Sequence, residues 1–202
     1  MSLLLVDNDV LIKLAHWNLL EALPAAFGCS WSDVARLQSI KFRASRGDKK
    51  LFLSEEVGAN LAAFLEQSQD IPDPDFGVIE SLAAAEHLDS GEVELIAACA
   101  RYPDALLLTG DKRCLIAFTQ SQFSNVVERV AGRVYCLEQC LERISQQLGA
   151  DQTISRIEPH KGVDTAVRAI FGSNGCTEAT LDEGLASYIK ALRHQTGVLL
   201  AP

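Results

Sequence analysis

Four acidic residues stand where the chain can use them for chemistry. Asp7 and Asp9 follow the apolar run of residues 3–6. Asp111 follows a second apolar run, residues 105–108, and Glu92 opens an apolar helical stretch. Short continuous apolar runs are typical of strands buried on both faces, as in parallel sheets. Because open α/β sheets bind ligands at the carboxyl ends of their strands, we expect Asp7 and Asp111 to meet at one edge of a sheet.

Helix geometry adds Glu92 to this group. Positions 92, 95, 96 and 99 share one helix face, which is apolar apart from its first residue, whereas Glu94 lies about 200° further round. We therefore expect Glu92 to point inward and Glu94 to lie at the edge of the site or at the surface. Carboxylates that share a cleft stay ionised together only beside cations, and hard oxygen ligands suit Mg²⁺ or Mn²⁺. Such ions activate water for phosphodiester hydrolysis.

Helix capping is the alternative explanation for the same acids. Asp9 is placed to cap a helix that begins at Val10, and Asp111 to cap the helix that follows it. Asp89 and Glu92 have the spacing of a capping box. Each acid taken alone favours the capping explanation, and the occurrence of three acids at three element ends favours a shared site.

The order of the predicted elements indicates an α/β protein. Strands are predicted at 3–6, 105–108 and 133–136, with a short one at 26–29. Two helices are predicted from Val10 to about Leu23 and from Ser30 or Ser32 to about Arg46. Further helices are predicted over 55–67, 76–87, 90–101, 113–119, 137–148, 163–171 and 177–194. This alternation predicts a three-layer α/β/α sandwich with a mostly parallel central sheet. Residues 1–149 would form the main domain. Residues 150–202 would form a helical extension that begins with a polar, irregular segment.

Charge and composition restrict the function classes. The formal net charge of −9 argues against a protein that coats nucleic acid, because such proteins neutralise phosphates with Lys and Arg. No apolar run reaches the roughly 18 residues of a membrane span, and the start of the chain lacks the basic region of a signal peptide. The six cysteines form no Cys-x-x-Cys pair and are expected to be reduced thiols. Together these features predict a cytoplasmic protein without a membrane partner.

Three short motifs resemble those of the PIN domain, the fold of many metal-dependent ribonucleases, including VapC-type toxins. LLVDNDVLI at residues 4–12 is similar to the opening strand of the family with its Asp. LDSGEVELIAA at residues 88–98 resembles its central acidic helix, and LLLTGD at residues 106–111 resembles the ending of its later strand. Order and spacing both fit, and the motifs frame about residues 1–140.

The resemblance implies an endoribonuclease with an Mg²⁺ or Mn²⁺ pocket. Asp7, Glu92 and Asp111 would be the catalytic metal ligands, with Asp9 assisting. RNA would be the substrate, and a homodimer is common in the family. In the toxin members, a small antitoxin protein blocks the pocket with its tail.

One position departs from the family pattern. The family places a Glu on the helix after the second strand, where this chain has Arg36. Asp33, about one turn earlier, is a candidate substitute. A cation at this place favours an alternative function, in which a catalytically degenerate PIN-like protein binds RNA or protein.

Substrate contacts are predicted in a basic run and at one hydroxyl. Lys41, Arg43 and Arg46, with Lys49 and Lys50 beyond them, could guide an RNA backbone toward the acids, or they could simply be a solvated helix end. Thr109 could bind a metal-bound water, or it could be a turn hydroxyl.

A second enzyme class shares the first motif. An Asp-x-Asp sequence after an apolar strand also resembles the first motif of haloacid dehalogenase-like phosphatases. Thr109, Lys161 and Asp164 would have to supply the remaining groups of that site, although no convincing apolar strand precedes Lys161 and Asp164.

Overall fold

The computed structural model describes residues 3–45, 54–83 and 85–202 of the 202-residue chain. These residues form five strands: β1 (Leu4–Val6), β2 (Val34–Arg36), β3 (Gln69–Asp70), β4 (Leu106–Thr109) and β5 (Val134–Cys136). All strand pairs are parallel, and the order in the sheet is β3-β2-β1-β4-β5. Every carboxyl end of these strands therefore lies at the same edge of the sheet.

Twelve α-helices connect and cover the described strands. They are α1 (Asn8–His16), α2 (Leu23–Ala26), α3 (Ser39–Ser45), α4 (Glu55–Gln67), α5 (Phe76–Leu82), α6 (Ser90–Arg101), α7 (Lys112–Phe118), α8 (Ser124–Val130), α9 (Leu137–Leu148), α10 (Ala150–Ile157), α11 (Thr165–Phe171) and α12 (Glu178–Thr196). Short 3₁₀ segments at Leu20–Ala22, Trp31–Asp33, Ser121–Phe123 and Glu158–Val163 complete the connections.

The predicted α/β/α sandwich is confirmed by two apolar layers on opposite faces of the sheet. In β1, Leu4 and Val6 belong to one buried cluster and Leu5 to the other, as expected for alternating side chains. The first layer receives α1, α4 and α9, and the second receives α5, α6, α7 and α8.

The last fifty residues share the core of the preceding ones. Ile157, Val167, Phe171 and Leu181 lie in the same buried cluster as Leu4. Leu200 forms an isolated parallel bridge with Val134 of β5. The predicted irregular segment at the start of this region is wrong, because residues 150–157 form a helix whose Ile157 is fully buried.

The region after α2 also differs from the prediction. The short strand expected at 26–29 is absent, and Trp31–Asp33 forms a 3₁₀ turn instead of opening a long helix. Val34 and Ala35 continue directly into β2, where they pair with Leu4 and Leu5. The strand thus uses the apolar residues that the prediction had assigned to a helix face.

The sheet order places a topological switch point between β1 and β4. From β1 the chain continues to β2 and β3 on one side, then returns to β4 and β5 on the other. The connections on either side of such a point leave a crevice outside the carboxyl ends of the strands. Asp7 follows β1 and Asp111 follows β4, so both stand at this crevice.

Candidate acidic site at the carboxyl edge of the sheet

The crevice is an open cleft of about 1050 Å³ whose lining includes nine acidic and four basic side chains. Its carboxylates come from Asp7, Asp9, Asp73, Asp89, Glu92, Glu94, Asp111, Glu138 and Asp164; its cations come from Lys13, Arg43, Lys112 and Arg113. The acids predicted as metal ligands therefore all line one cleft. Carboxylates outnumber cations in the lining, so the cleft favours a bound cation.

Asp7 is the N-terminal cap residue of α1, but its carboxylate makes no side-chain capping bond. The proposed capping role of Asp9 is wrong, because α1 begins at Asn8 and Asp9 lies in its first turn. Burial, and then the neighbouring charges of Asp9 and Asp89, raise the pKa of Asp7 to about 6. Asp7 forms no ion pair with any cation in the part of the chain that the structure describes, so burial and its acidic neighbours dominate the shift.

Glu92 is held at the start of α6 by the predicted capping box. Its Oε2 accepts the backbone N–H of Asp89 at 2.7 Å, and Asp89 Oδ1 accepts the N–H of Glu92 at 2.9 Å. Burial, with the charges of Asp89 and Asp111, raises the pKa of Glu92 to about 7. Glu92 is thus both a capping residue and a buried acid among acids, and Glu94 is exposed on the rim of the cleft.

Asp111 caps α7, as the capping explanation predicted. Its Oδ1 accepts the backbone N–H groups of Arg113 at 2.8 Å and Cys114 at 3.0 Å. The N–H of Asp111 itself donates to the hydroxyl of Thr109 at 3.2 Å. Thr109 is buried and is not among the residues that line the cleft, so its hydroxyl fits the turn role.

The buried thiol of Cys114 shows that three of the acids converge. Burial raises the pKa of Cys114, and the charges of Glu92, Asp111 and Asp7 raise it further. The thiol also hydrogen-bonds with the Glu92 side chain. The pKa of one thiol on α7 is therefore raised by carboxylates that follow β1 and β4 and by one on α6. This proximity agrees with the sheet order, in which β1 and β4 are neighbours.

Lys13 partly neutralises the other side of the cleft. Its ammonium lies 2.6 Å from Asp9 Oδ2 and 2.9 Å from Asp164 Oδ2. Burial by itself would lower the pKa of Lys13, but the hydrogen bonds that its ammonium donates to Asp9 and Asp164 outweigh it and raise the pKa. Gly110 packs against this pair, since an added Cβ would lie 2.6 Å from Asp9 Oδ2. Asp9 is therefore bound to a lysine, unlike Asp7.

Asp7, Glu92 and Asp111 fit a divalent ion in the chemistry of their donor atoms but are not already arranged around one. The all-oxygen donor set of Asp7, Glu92 and Asp111 is the kind that Mg²⁺ and Mn²⁺ prefer. Across residues 3–45, 54–83 and 85–202, however, no three His, Cys, Asp or Glu side chains are arranged as a ready-made metal site. An ion would have to draw the three carboxylates together, against the capping bonds that Glu92 and Asp111 make.

The residues predicted to bind substrate are scattered. Arg43 lines the cleft, whereas Lys41 forms an ion pair with Asp70 at 3.1 Å and does not line it. Arg46, like Lys49 and Lys50, lies outside the described residues.

Arg36 does not occupy the cleft, so the interpretation that placed its charge there is wrong. Its side chain is fully buried and forms an ion pair with Asp70, and it donates to the carbonyl of Leu65 on α4 at 3.5 Å. Asp33, the suggested substitute acid, lies before β2 and therefore at the opposite end of that strand. Asp33 is bound to the Ser30 backbone N–H at 2.9 Å.

Sequence reasoning missed Glu138 and Lys112, which also line the cleft and form an ion pair. The signal that found Asp7 and Asp111 could have found Glu138, since it follows the predicted strand at 133–136. Lys161, required by the phosphatase alternative, donates to Glu158 and to the carbonyl of Gly172 and does not line the cleft.

Comparison of the chain with models of protein families, with curated proteins and with solved structures finds no match in any of the three. Within the described ranges, no helix is both long enough and apolar enough to cross a membrane.

Proposed function

We propose that the protein is a metal-dependent ribonuclease that hydrolyses RNA at the acidic cleft. The observation that carries the proposal is that Asp7, Glu92 and Asp111 line one cleft, where Asp7 and Glu92 have no ion-pair partner among the described residues and Asp111 has only the exposed Arg113 at 3.8 Å. Two of these acids have pKa values raised by burial and by their acidic neighbours, to about 6 and about 7. Groups in this state gain most from a divalent cation, because it replaces repulsion by attraction.

Asp7, Glu92 and Asp111 would hold the ion. When bound, Mg²⁺ or Mn²⁺ supplies a polarised water and offsets the charge of the scissile phosphate. The chain itself fixes the carboxylates: the Asp89 N–H orients Glu92, and the first turn of α7 orients Asp111. The assignment of RNA as the substrate rests on the motif resemblance, as do the antitoxin partner and the homodimer.

The test is cleavage of labelled single-stranded and stem–loop RNAs with Mn²⁺, Mg²⁺ or EDTA. We expect cleavage with either metal, none with EDTA, and a loss of at least about a thousandfold in Asp7→Asn, since the carboxylate acts through the metal. Asp104→Asn is the matched control, because Asp104 is an exposed acid that precedes β4 and so lies at the other end of the sheet. Equal cleavage by wild type and Asp7→Asn would contradict the proposal.

A second candidate is a protein that binds RNA or protein at the cleft without cleaving it. It is favoured by the capping bonds of Glu92 and Asp111, which already give these carboxylates a structural role. The same experiment distinguishes the two functions. Wild type and Asp7→Asn that bind RNA equally and cleave nothing would support the non-catalytic function.

A further inference from the structure

Three side chains from different helices meet beside the cleft, and two of them, Lys112 and Glu138, line it. The ammonium of Lys112 on α7 forms an ion pair with Glu138 on α9, and it lies 4.5 Å from the ring centroid of Tyr188 on α12. The Lys112 side chain remains 32% exposed, whereas that of Glu138 is 1% exposed. A lysine at the mouth of the cleft is thus held by a buried acid and an aromatic ring.

Glu138 explains why the lysine stays in place. A buried carboxylate is costly without a cation, and breaking its ion pair would leave that charge uncompensated. Its second oxygen, Oε2, is buried and has no hydrogen-bond partner within the described part of the chain. Burial, and next the Glu138 charge, raise the pKa of the neighbouring Cys136 thiol to about 12. Lys112 is therefore the cation on which Glu138 depends.

The ammonium of Lys112 lines the cleft and keeps some of its bonding capacity. An ammonium has three N–H donors, and Glu138 is the only ion-pair partner recorded for Lys112 among the described residues. The ring of Tyr188 attracts the charge without accepting a conventional hydrogen bond. Lys13, in contrast, is already shared between two carboxylates, and Arg113 has a side chain that is 87% exposed. Lys112 is thus a partly exposed cation that lines the cleft and is held by two neighbouring side chains.

We propose that Lys112 binds a backbone phosphate of the substrate strand beside the scissile one, and that Glu138 and Tyr188 are its positioning residues. This inference rests on the proposed ribonuclease function and assigns the wall of the cleft that receives the strand. An acidic cleft repels the phosphates of RNA. A cation fixed beside the cleft would favour the one position of the strand in which a backbone phosphate contacts Lys112. It also gives α12 a role in the site.

The test compares cleavage by wild type, Lys112→Gln and Lys190→Gln over a range of salt concentrations. Lys190 is the matched control, because it is an exposed lysine on α12 that does not line the acidic cleft. We expect Lys112→Gln to raise KM about tenfold with kcat within about twofold, and to reduce the slope of log KM against log salt by about 0.7, the value for one phosphate of a single strand. Lys190→Gln should leave KM and the slope unchanged.

Two further variants test the positioning role of Tyr188. Tyr188→Phe retains the ring and should leave KM within about twofold, whereas Tyr188→Leu should raise KM several-fold. Mn²⁺ affinity, measured by calorimetry, should be unchanged in both. If Lys112→Gln does not fold because Glu138 is left unpaired, the double variant Lys112→Gln/Glu138→Gln removes both charges and carries the same expectation for KM and slope.

The outcomes separate this inference from the proposed function. Metal-dependent cleavage whose KM and salt slope do not change in Lys112→Gln would overturn the inference alone. Wild type that shows no metal-dependent cleavage would overturn the proposed function and this inference with it. A KM effect shared equally by Lys190→Gln would also overturn the inference, because it would reflect net charge.

Discussion

Two groups of charged residues lie on the same parallel sheet and behave in opposite ways. At the β1/β4 switch point, Asp7 and Glu92 face mainly other acids, and their pKa values are raised. On β2 and β3, Arg36 and Asp70 form an ion pair. Burial by itself would raise the pKa of Asp70, but the hydrogen bonds from Arg36 and Lys41 outweigh it and lower the pKa.

The difference separates charges that are paired within the fold from buried charges that face mainly other acids. Arg36 is fully buried, and its charge is offset by an acid of the neighbouring strand. Asp7 and Glu92 at the switch point have no ion-pair partner among the residues that the structure describes, and burial among acids raises their pKa values, so their ionised forms oppose folding. Charge balance, rather than the presence of acids, marks the candidate functional site.

The largest stability effect is expected from Asp70→Asn. This change leaves the buried guanidinium of Arg36 without its counter-charge, and we expect a loss of about 3 kcal/mol in the free energy of unfolding. The value is at the low end for a broken buried pair, because the Asp70 side chain is 37% exposed and Lys41 also binds it. Urea unfolding at pH 7 measures the effect.

Mn²⁺ affinity gives the control for Asp70→Asn. Because neither Arg36 nor Asp70 lines the acidic cleft, affinity should not change. An Asp70→Asn protein that is as stable as wild type, or that loses Mn²⁺ binding while folded, would contradict the distinction between the Arg36–Asp70 ion pair and the acids at the switch point.

Asp7→Asn is expected to increase the free energy of unfolding when EDTA removes metal ions, whereas Asp70→Asn is expected to decrease it. The pKa of Asp7 rises from 3.8 to about 6 on folding, so its charge costs stability increasingly as the pH rises from about 4 to about 6 and costs the full amount above that. Removing the charge should raise the free energy of unfolding by about 2 kcal/mol at pH 7.5. Near pH 4 the variant and wild type should be nearly equal, and a loss of stability at pH 7.5 would contradict the account.

The smallest stability effect is expected from Lys13→Gln, a change at a paired cation of the acidic cleft itself. Asp9 and Asp164 lose their cation, but Asp164 keeps two backbone N–H bonds at 2.8 and 2.9 Å, so the loss of stability should be about 1 kcal/mol. Mn²⁺ should bind several-fold more tightly, because a competing positive charge is gone. Weaker Mn²⁺ binding would show that Lys13 supports the site.

The sequence predicts the sheet best where the strands are purely apolar. β1, β4 and β5 were predicted within one residue at most of their bounds, since Leu and Val runs between turn residues have few alternatives. β2 was missed because it ends in Arg36, a charged residue whose burial depends on Asp70 of another strand. Such a tertiary partner leaves no local signal.

The sequence predicts those site residues whose positions follow from a single strand or helix, and it does not predict those that depend on contacts between distant segments. Asp7, Asp111 and Glu92 follow from strand ends and helix periodicity, and the structure places them in one cleft. Lys13, Lys112 and Asp164 were not assigned to that cleft as metal or substrate contacts, because their ion pairs join residues far apart in the chain. The role of Tyr188 requires α12 to pack beside α7, which no local pattern indicates.

The most direct test of the account is a calorimetric titration of the free protein with Mn²⁺ at pH 7.5. We predict saturable binding by wild type, unchanged binding by Asp70→Asn, and at least about tenfold weaker binding by Asp7→Asn, because Asp7 lines the acidic cleft and Asp70 does not. If wild type binds no Mn²⁺, or if Asp7→Asn binds it as tightly as wild type, the acidic cleft is not a cation site and the central claim is contradicted.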